Sequence, residues 1–115
     1  MGISDIIANL RMADRDGSDE FYGGFLGLVT TMDQGWVVRY ECPDSGPHLQ
    51  MVTRDATAPE DSVATIRVAD VDASYAEARR RGYEIVHPLV TEPWGVRRFF
   101  VRDPNGNVLN IAASH

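Results

Sequence analysis

One stretch of this chain is written twice. Residues 8–18, ANLRMADRDGS, return 56 positions later at 64–74 as ATIRVADVDAS, with six of the eleven residues identical. In both copies a short alternating segment runs to an Asp, crosses a second Asp and a Ser, and enters a helical pattern. That is the mark of a duplicated strand–turn–helix unit. The 115 residues are short enough for a single domain, so the repeat divides one domain into module 1, about 4–53, and module 2, about 62–113.

Alternation and turn residues place the remaining elements. In module 1 they predict a strand over 6–12, a helix from 14–18 to about 26 ended by Gly27, and strands over 28–32, 36–42 and 48–53. In module 2 they predict a strand over 63–68, a helix over 73–81 ended by Gly82, and strands over 84–90, 96–102 and 108–112. Between the modules, residues 54–61 read as a polar linker. The order is βαβββ twice, an α+β fold. Asp14, Asp16, Asp70 and Asp72 stand where helix starts need capping groups. Arg79, Arg80 and Arg81 suit the negative end of the second helix dipole, and Gly23-Gly24 marks close packing or a local bend.

Charge narrows the partners. Seventeen acidic against eleven basic residues give a net charge of −6, which opposes nucleic-acid and anionic-membrane binding and is compatible with a neutral or cationic ligand. Every basic residue is arginine, so lysine Schiff-base chemistry is excluded. No apolar run is long enough to span a bilayer, no leader pattern is visible, and Cys42 has no internal partner, so the expectation is a soluble protein of the reducing cytoplasm. Cys42 is expected to be a buried inert thiol, and His87 and His115 to be solvated. Phosphate-cradling glycine loops, Cys/His zinc spacing, nucleophile elbows and basic aromatic stripes are missing from the sequence.

The strand-to-helix run ending in Phe21-Tyr22, the following Leu26-Gly27-Leu28, and the C-terminal run PWGVRRFFVRDPNGN at 93–107 resemble the vicinal oxygen chelate superfamily. That family includes glyoxalase I, extradiol dioxygenases and bleomycin-resistance proteins, and the resemblance covers essentially the whole chain. It implies two βαβββ modules forming a curved mixed sheet, a homodimer, and a ligand trough on the concave side. In metal-using members a His or Gln near the first strand and a Glu near the last strand of each module converge on one divalent ion. Here those positions fall at Ile7 and Val63 and at Gln50 and Asn110, so the resemblance carries no metal set and no cofactor.

Alternation puts Ile7, Asn9 and Arg11 on one face of the first strand, with Ile6, Ala8, Leu10 and Met12 under the helix. By the resemblance, the ligand-lining residues are Ile7, Asn9, Trp36, Val38, Tyr40, His48, Gln50, Val63, Trp94, Arg98, Phe100 and Asn110. Such a mixture suits a flat organic molecule with a few hydrogen-bonding points. Trp36 and Tyr40 are equally placed for the core or a dimer interface, and Trp94 for packing or for gating. The implied function is metal-free binding of a hydrophobic or aromatic compound such as an antibiotic, with no catalytic residue. Two alternatives stand beside it: a metal-independent isomerase or lyase using His48, and a domain that only associates with a partner protein.

Overall fold

Each copy of the repeat begins as a strand and turns into a helix at a capping aspartate. In the computed structural model, which describes residues 2–44 and 46–114, His115 lies outside the described residues. Asp14 accepts hydrogen bonds from the backbone N–H groups of Asp16 and Gly17, and Asp70 from that of Ala73, at 3.0–3.2 Å. These satisfy donors that a helix start leaves open. The chain groups into two units, residues 7–56 and residues 57 onward with the first six.

β1 (Ile3–Arg11), which belongs to the first unit from Ile7 on, is followed by α1 (Arg15–Ser18), which continues as a π-helical segment, Asp19–Phe25. The expected α-helix is therefore widened. The Leu26 N–H reaches back five residues to the Phe21 carbonyl, and Gly27 ends the segment with a φ of 78°. β2 (Val29–Asp33), β3 (Val37–Glu41) and β4 (His48–Val52) follow, in the order β2-β3-β4-β1. β4 runs parallel to β1, while β2 and β4 both run antiparallel to β3. The helical segment packs on β3: Tyr22 stacks on Tyr40 at 5.3 Å, over a core of Met12, Val38, Tyr40 and Met51. Leu10, expected under the helix, stays 41% exposed on β1, and Ile6 64% exposed.

In the second unit, β5 (Ala64–Val68), α2 (Val71–Arg80), β6 (Ile85–Thr91), β7 (Val96–Arg102) and β8 (Val108–Ser114) give the order β5-β8-β7-β6, with β5 and β8 parallel. α2 buries Val71, Ser74 and Ala78, spaced along one helical face, against Val68, Phe99 and Ile111. Burying each of the large apolar side chains is worth about 1.5–3 kcal/mol. The turn from β7 to β8 is tied by Asp103, whose carboxylate accepts from the Asn105 and Asn107 backbone N–H groups at 2.8 Å.

The arginine run at the end of α2 splits. Arg80 and Arg81 both bind Glu77 and pull its pKa down to about 2, while Arg79 lies over the Tyr75 ring. Cys42 is half-buried rather than buried. The linker is not simply polar, because Ala58 is buried against Phe100 and Val108.

Candidate functional site

Register decides which side chains share the face of each module that carries no helix. In module 1, Asn9 pairs with Gln50 across β1 and β4, and Gln50 with Arg39 across β4 and β3, so these three form one row. Arg39 Nη2 donates to Gln50 Oε1 at 2.9 Å, and Gln50 Nε2 donates to Asn9 Oδ1 at 2.8 Å. A guanidinium has no acceptor, so it fixes which end of the Gln50 amide faces it. One row on lie Arg11, Val52 and Val37, and alternation puts Ile7, His48 and Glu41 in the row on the other side. His48 Nδ1 is 2.9 Å from the Gly46 carbonyl.

In module 2 the corresponding row is Thr65, Asn110 and Phe100. Asn110 Nδ2 donates to Thr65 Oγ1 at 3.1 Å, while Asn110 Oδ1 is buried and accepts no hydrogen bond among the described residues. The neighbouring row holds Arg67, Ala112 and Arg98. Arg98 is buried, with its guanidinium carbon 5.1 Å from the Trp94 ring centre and 4.9 Å from that of Phe100. Its Nη2 donates to Thr57 Oγ1 at 2.7 Å and lies 3.7 Å from the buried Glu92 carboxylate. A buried charge requires such partners.

Several expectations change. Val38 and Tyr40 lie on the opposite face of β3, in the core beneath the helical segment, and Trp36, half-buried just before β3, has their parity. Ile7 is fully buried and offers a ligand no surface, and Phe100 packs into a small core at 1% exposed. His87 is buried rather than solvated, its ring nitrogens 2.7 Å from the Pro88 carbonyl and 3.1 Å from that of Thr57. Asn9, His48, Trp94 and Asn110 are half-buried, Gln50 is almost fully buried, and Val63 is 49% exposed just before β5. Sequence reasoning missed Arg39, Thr57 and Glu92. Arg98 was expected to line the ligand trough, and its burial, which demands a partner for the charge, is visible only in the structure.

The residues at the four family metal positions do not fit a divalent ion. Ile7 and Val63 have no donor atom, and Gln50 is a neutral amide bonded at both ends, with a guanidinium at its carbonyl oxygen. A fixed cation there repels a second one. Among the described residues no group of three or more His, Cys, Asp or Glu comes together to hold an ion.

This arrangement, two βαβββ modules with amide-bearing rows on the helix-free faces, has relatives. A family model described as the Glyoxalase/Bleomycin resistance protein/Dioxygenase superfamily matches residues 6–111. The chain belongs to that superfamily. A superfamily member from Vibrio splendidus 12B01 is 14% identical with a TM-score of 0.74, covering 96% of this chain and 98% of its own. A chain described as NAD-dependent benzaldehyde dehydrogenase from Legionella pneumophila is 16% identical, with a TM-score of 0.77 over 96% of this chain and 100% of that one. Methylmalonyl-CoA epimerase from Mycobacterium tuberculosis is 18% identical, with a TM-score of 0.73 over 99% and 88%. At these identities the likeness is one of fold, which hosts more than one chemistry in the superfamily. No curated protein matches the sequence significantly. Among the described residues no helix is long and apolar enough to cross a membrane.

Proposed function

We propose that this superfamily member is a metal-free binding protein that sequesters a small hydrophobic or aromatic molecule, in the cytoplasm and as a homodimer. The observation that carries the reading is Gln50. At the position where metal-using relatives have an acid, it is a neutral amide committed to Arg39 and Asn9. The buried Asn110 Oδ1 adds support, since an acceptor left without a partner among the described residues calls for a donor from ligand or water. Exposed Phe21 and Phe25, whose rings are 5.4 Å apart, supply apolar surface of the kind a second copy covers.

The test is a thermal-shift screen of aromatic natural products, followed by binding and melting of Trp94→Ala. A ligand that binds only the native state raises the melting temperature by mass action. Loss of one stacking ring is expected to cost about 1–3 kcal/mol of affinity, roughly tenfold to a hundredfold. Binding without turnover supports the proposal. Turnover abolished by His48→Gln replaces it with a metal-independent isomerase or lyase. Absence of any ligand, with Trp94→Ala changing stability alone, leaves the partner-association reading.

A further inference from the structure

We propose that module 2 carries a further small-molecule site on the helix-covered side of its sheet, a cavity that takes a single-ring phenol, with Ala78, Val101 and Ile111 around the ring and Ser74 accepting from its hydroxyl. The site is separate from the helix-free faces and does not depend on the function proposed above.

Between α2 and the strands β7 and β8 lies a cavity of about 210 Å³. Phe99, Val101 and Ile111 line it from the sheet, and Ser74 and Ala78 from the helix. Glu77, Arg81 and the exposed Tyr83 form its rim, where the Glu77 carboxylate is already bound by Arg80 and Arg81 at 2.5 and 2.6 Å. The wall is almost wholly apolar, which gives water too few partners, whereas an apolar cavity of about 150 Å³ stays dry and takes a benzene ring.

The other copy of the repeat shows what this space is shaped for. Met51 lies opposite Leu10 on β1 and Val38 on β3, and Ile111 lies opposite Ile66 on β5 and Phe99 on β7, with Leu10 and Ile66 separated by the 56 residues of the repeat. Two residues along, Tyr40 opposite Leu49 therefore corresponds to Val101 opposite Leu109. On the helices the same offset matches Tyr22 with Ala78 and Ser18 with Ser74. In module 1 the Tyr22 and Tyr40 rings stack at 5.3 Å, and the Tyr40 hydroxyl is 3.1 Å from Ser18 Oγ. In module 2 both rings are replaced, by Ala78 and Val101, and both replacements line the cavity. Phe99, larger than Val38, sets its ring edge-on to Tyr75 at 5.0 Å and leaves the space unfilled. Ser74 is buried and donates to the Asp70 carbonyl at 3.0 Å, so its oxygen can still accept. A phenol supplies what this module lacks: a ring for the apolar wall and a hydroxyl for Ser74.

Phenol and benzene are the probes, titrated into the intact protein and followed by the methyl NMR signals of Ala78, Val101 and Ile111. Phenol is expected to bind saturably with shifts at all three. Ala78→Leu, which fills the cavity from the helix, should weaken phenol by more than about tenfold. Val101→Phe fills the same space from the strand and should do the same, so the test survives if Ala78→Leu fails to fold. Ser74→Ala keeps the cavity and removes the acceptor; it should weaken phenol about fivefold while leaving benzene unchanged. Absence of saturable phenol shifts at these methyls, or binding that persists in the cavity-filling variants, overturns the site. An equal effect of Ser74→Ala on both probes overturns the phenol assignment. Shifts confined to the Trp94 indole would put phenol on the helix-free face, which overturns this inference and leaves the proposed function standing.

Discussion

The Tyr40 hydroxyl donates a 2.5 Å hydrogen bond to the Asp19 carboxylate, joining β3 to the π-helical segment. The bond, helped by Arg15, holds the Asp19 pKa below its ordinary value, while burial and then this same carboxylate raise that of Tyr40. Tyr40→Phe keeps the ring stacked on Tyr22 and removes the hydroxyl, with its bond to Asp19 and its 3.1 Å contact to Ser18 Oγ. Hydrogen bonds to charged groups are worth about 1.5–3 kcal/mol, and discounting for the half-exposed Asp19 leaves about 1 kcal/mol. A carboxylate with a depressed folded-state pKa stabilises the fold above its unfolded value and loses that contribution as pH falls through the folded one. Urea unfolding should therefore show Tyr40→Phe less stable at neutral pH, with the gap to the parent protein closing below about pH 4.

Arg98 and Glu92 are both buried and 3.7 Å apart. Arg98→Met leaves an uncompensated carboxylate and is expected to cost about 3 kcal/mol, whereas the double change Arg98→Met with Glu92→Leu recovers most of it. A double-mutant cycle by denaturant unfolding checks this. Additive losses would show that the two side chains are not coupled.

Gly24 is not a packing glycine: the nearest atom to an added Cβ is Glu20 Cγ at 3.9 Å, and its φ is not left-handed. Gly24→Ala should stabilise by about 0.4–1 kcal/mol through the unfolded chain. Gly27 has a φ of 78° in the left-handed region. Gly27→Ala should destabilise by about 1 kcal/mol, so the two melting temperatures move in opposite directions.

On the metal-free reading, the melting temperature is expected to stay constant on adding excess nickel, zinc or manganese and on adding chelator, because the Gln50 carbonyl oxygen already accepts from the Arg39 guanidinium. Elemental analysis of the purified protein is the second check. One ion per chain lost by a Gln50→Ala change would contradict the donor-set argument.

Sedimentation at tens of micromolar should return the mass of a dimer. Phe25, 74% exposed, is the side chain to change: Phe25→Glu should shift the boundary to monomer while leaving the circular dichroism spectrum intact, if a second copy covers that ring. A monomeric parent protein would remove the dimer proposal.

The sequence by itself determined the duplication, the βαβββ order of each module and the aspartates that start the helices, because all of these depend on local spacing and capping chemistry. It also placed Asn9 and Gln50 among the residues that line the helix-free face of module 1, and Asn110 among those of module 2. What it could not determine was the face of β3. Val37 and Val38 are both apolar and both buried, so alternation defines two sets of side chains without saying which set faces the helix. The pairing of Tyr40 with Leu49 and of Arg39 with Gln50 made that choice, and a one-residue slip in register would exchange every side chain between faces. The same holds for His87 and Arg98, whose burial depends on the linker folding Thr57 and Ala58 back onto β6 and β7. Such contacts join residues 30 or more positions apart, and only the tertiary structure brings them together.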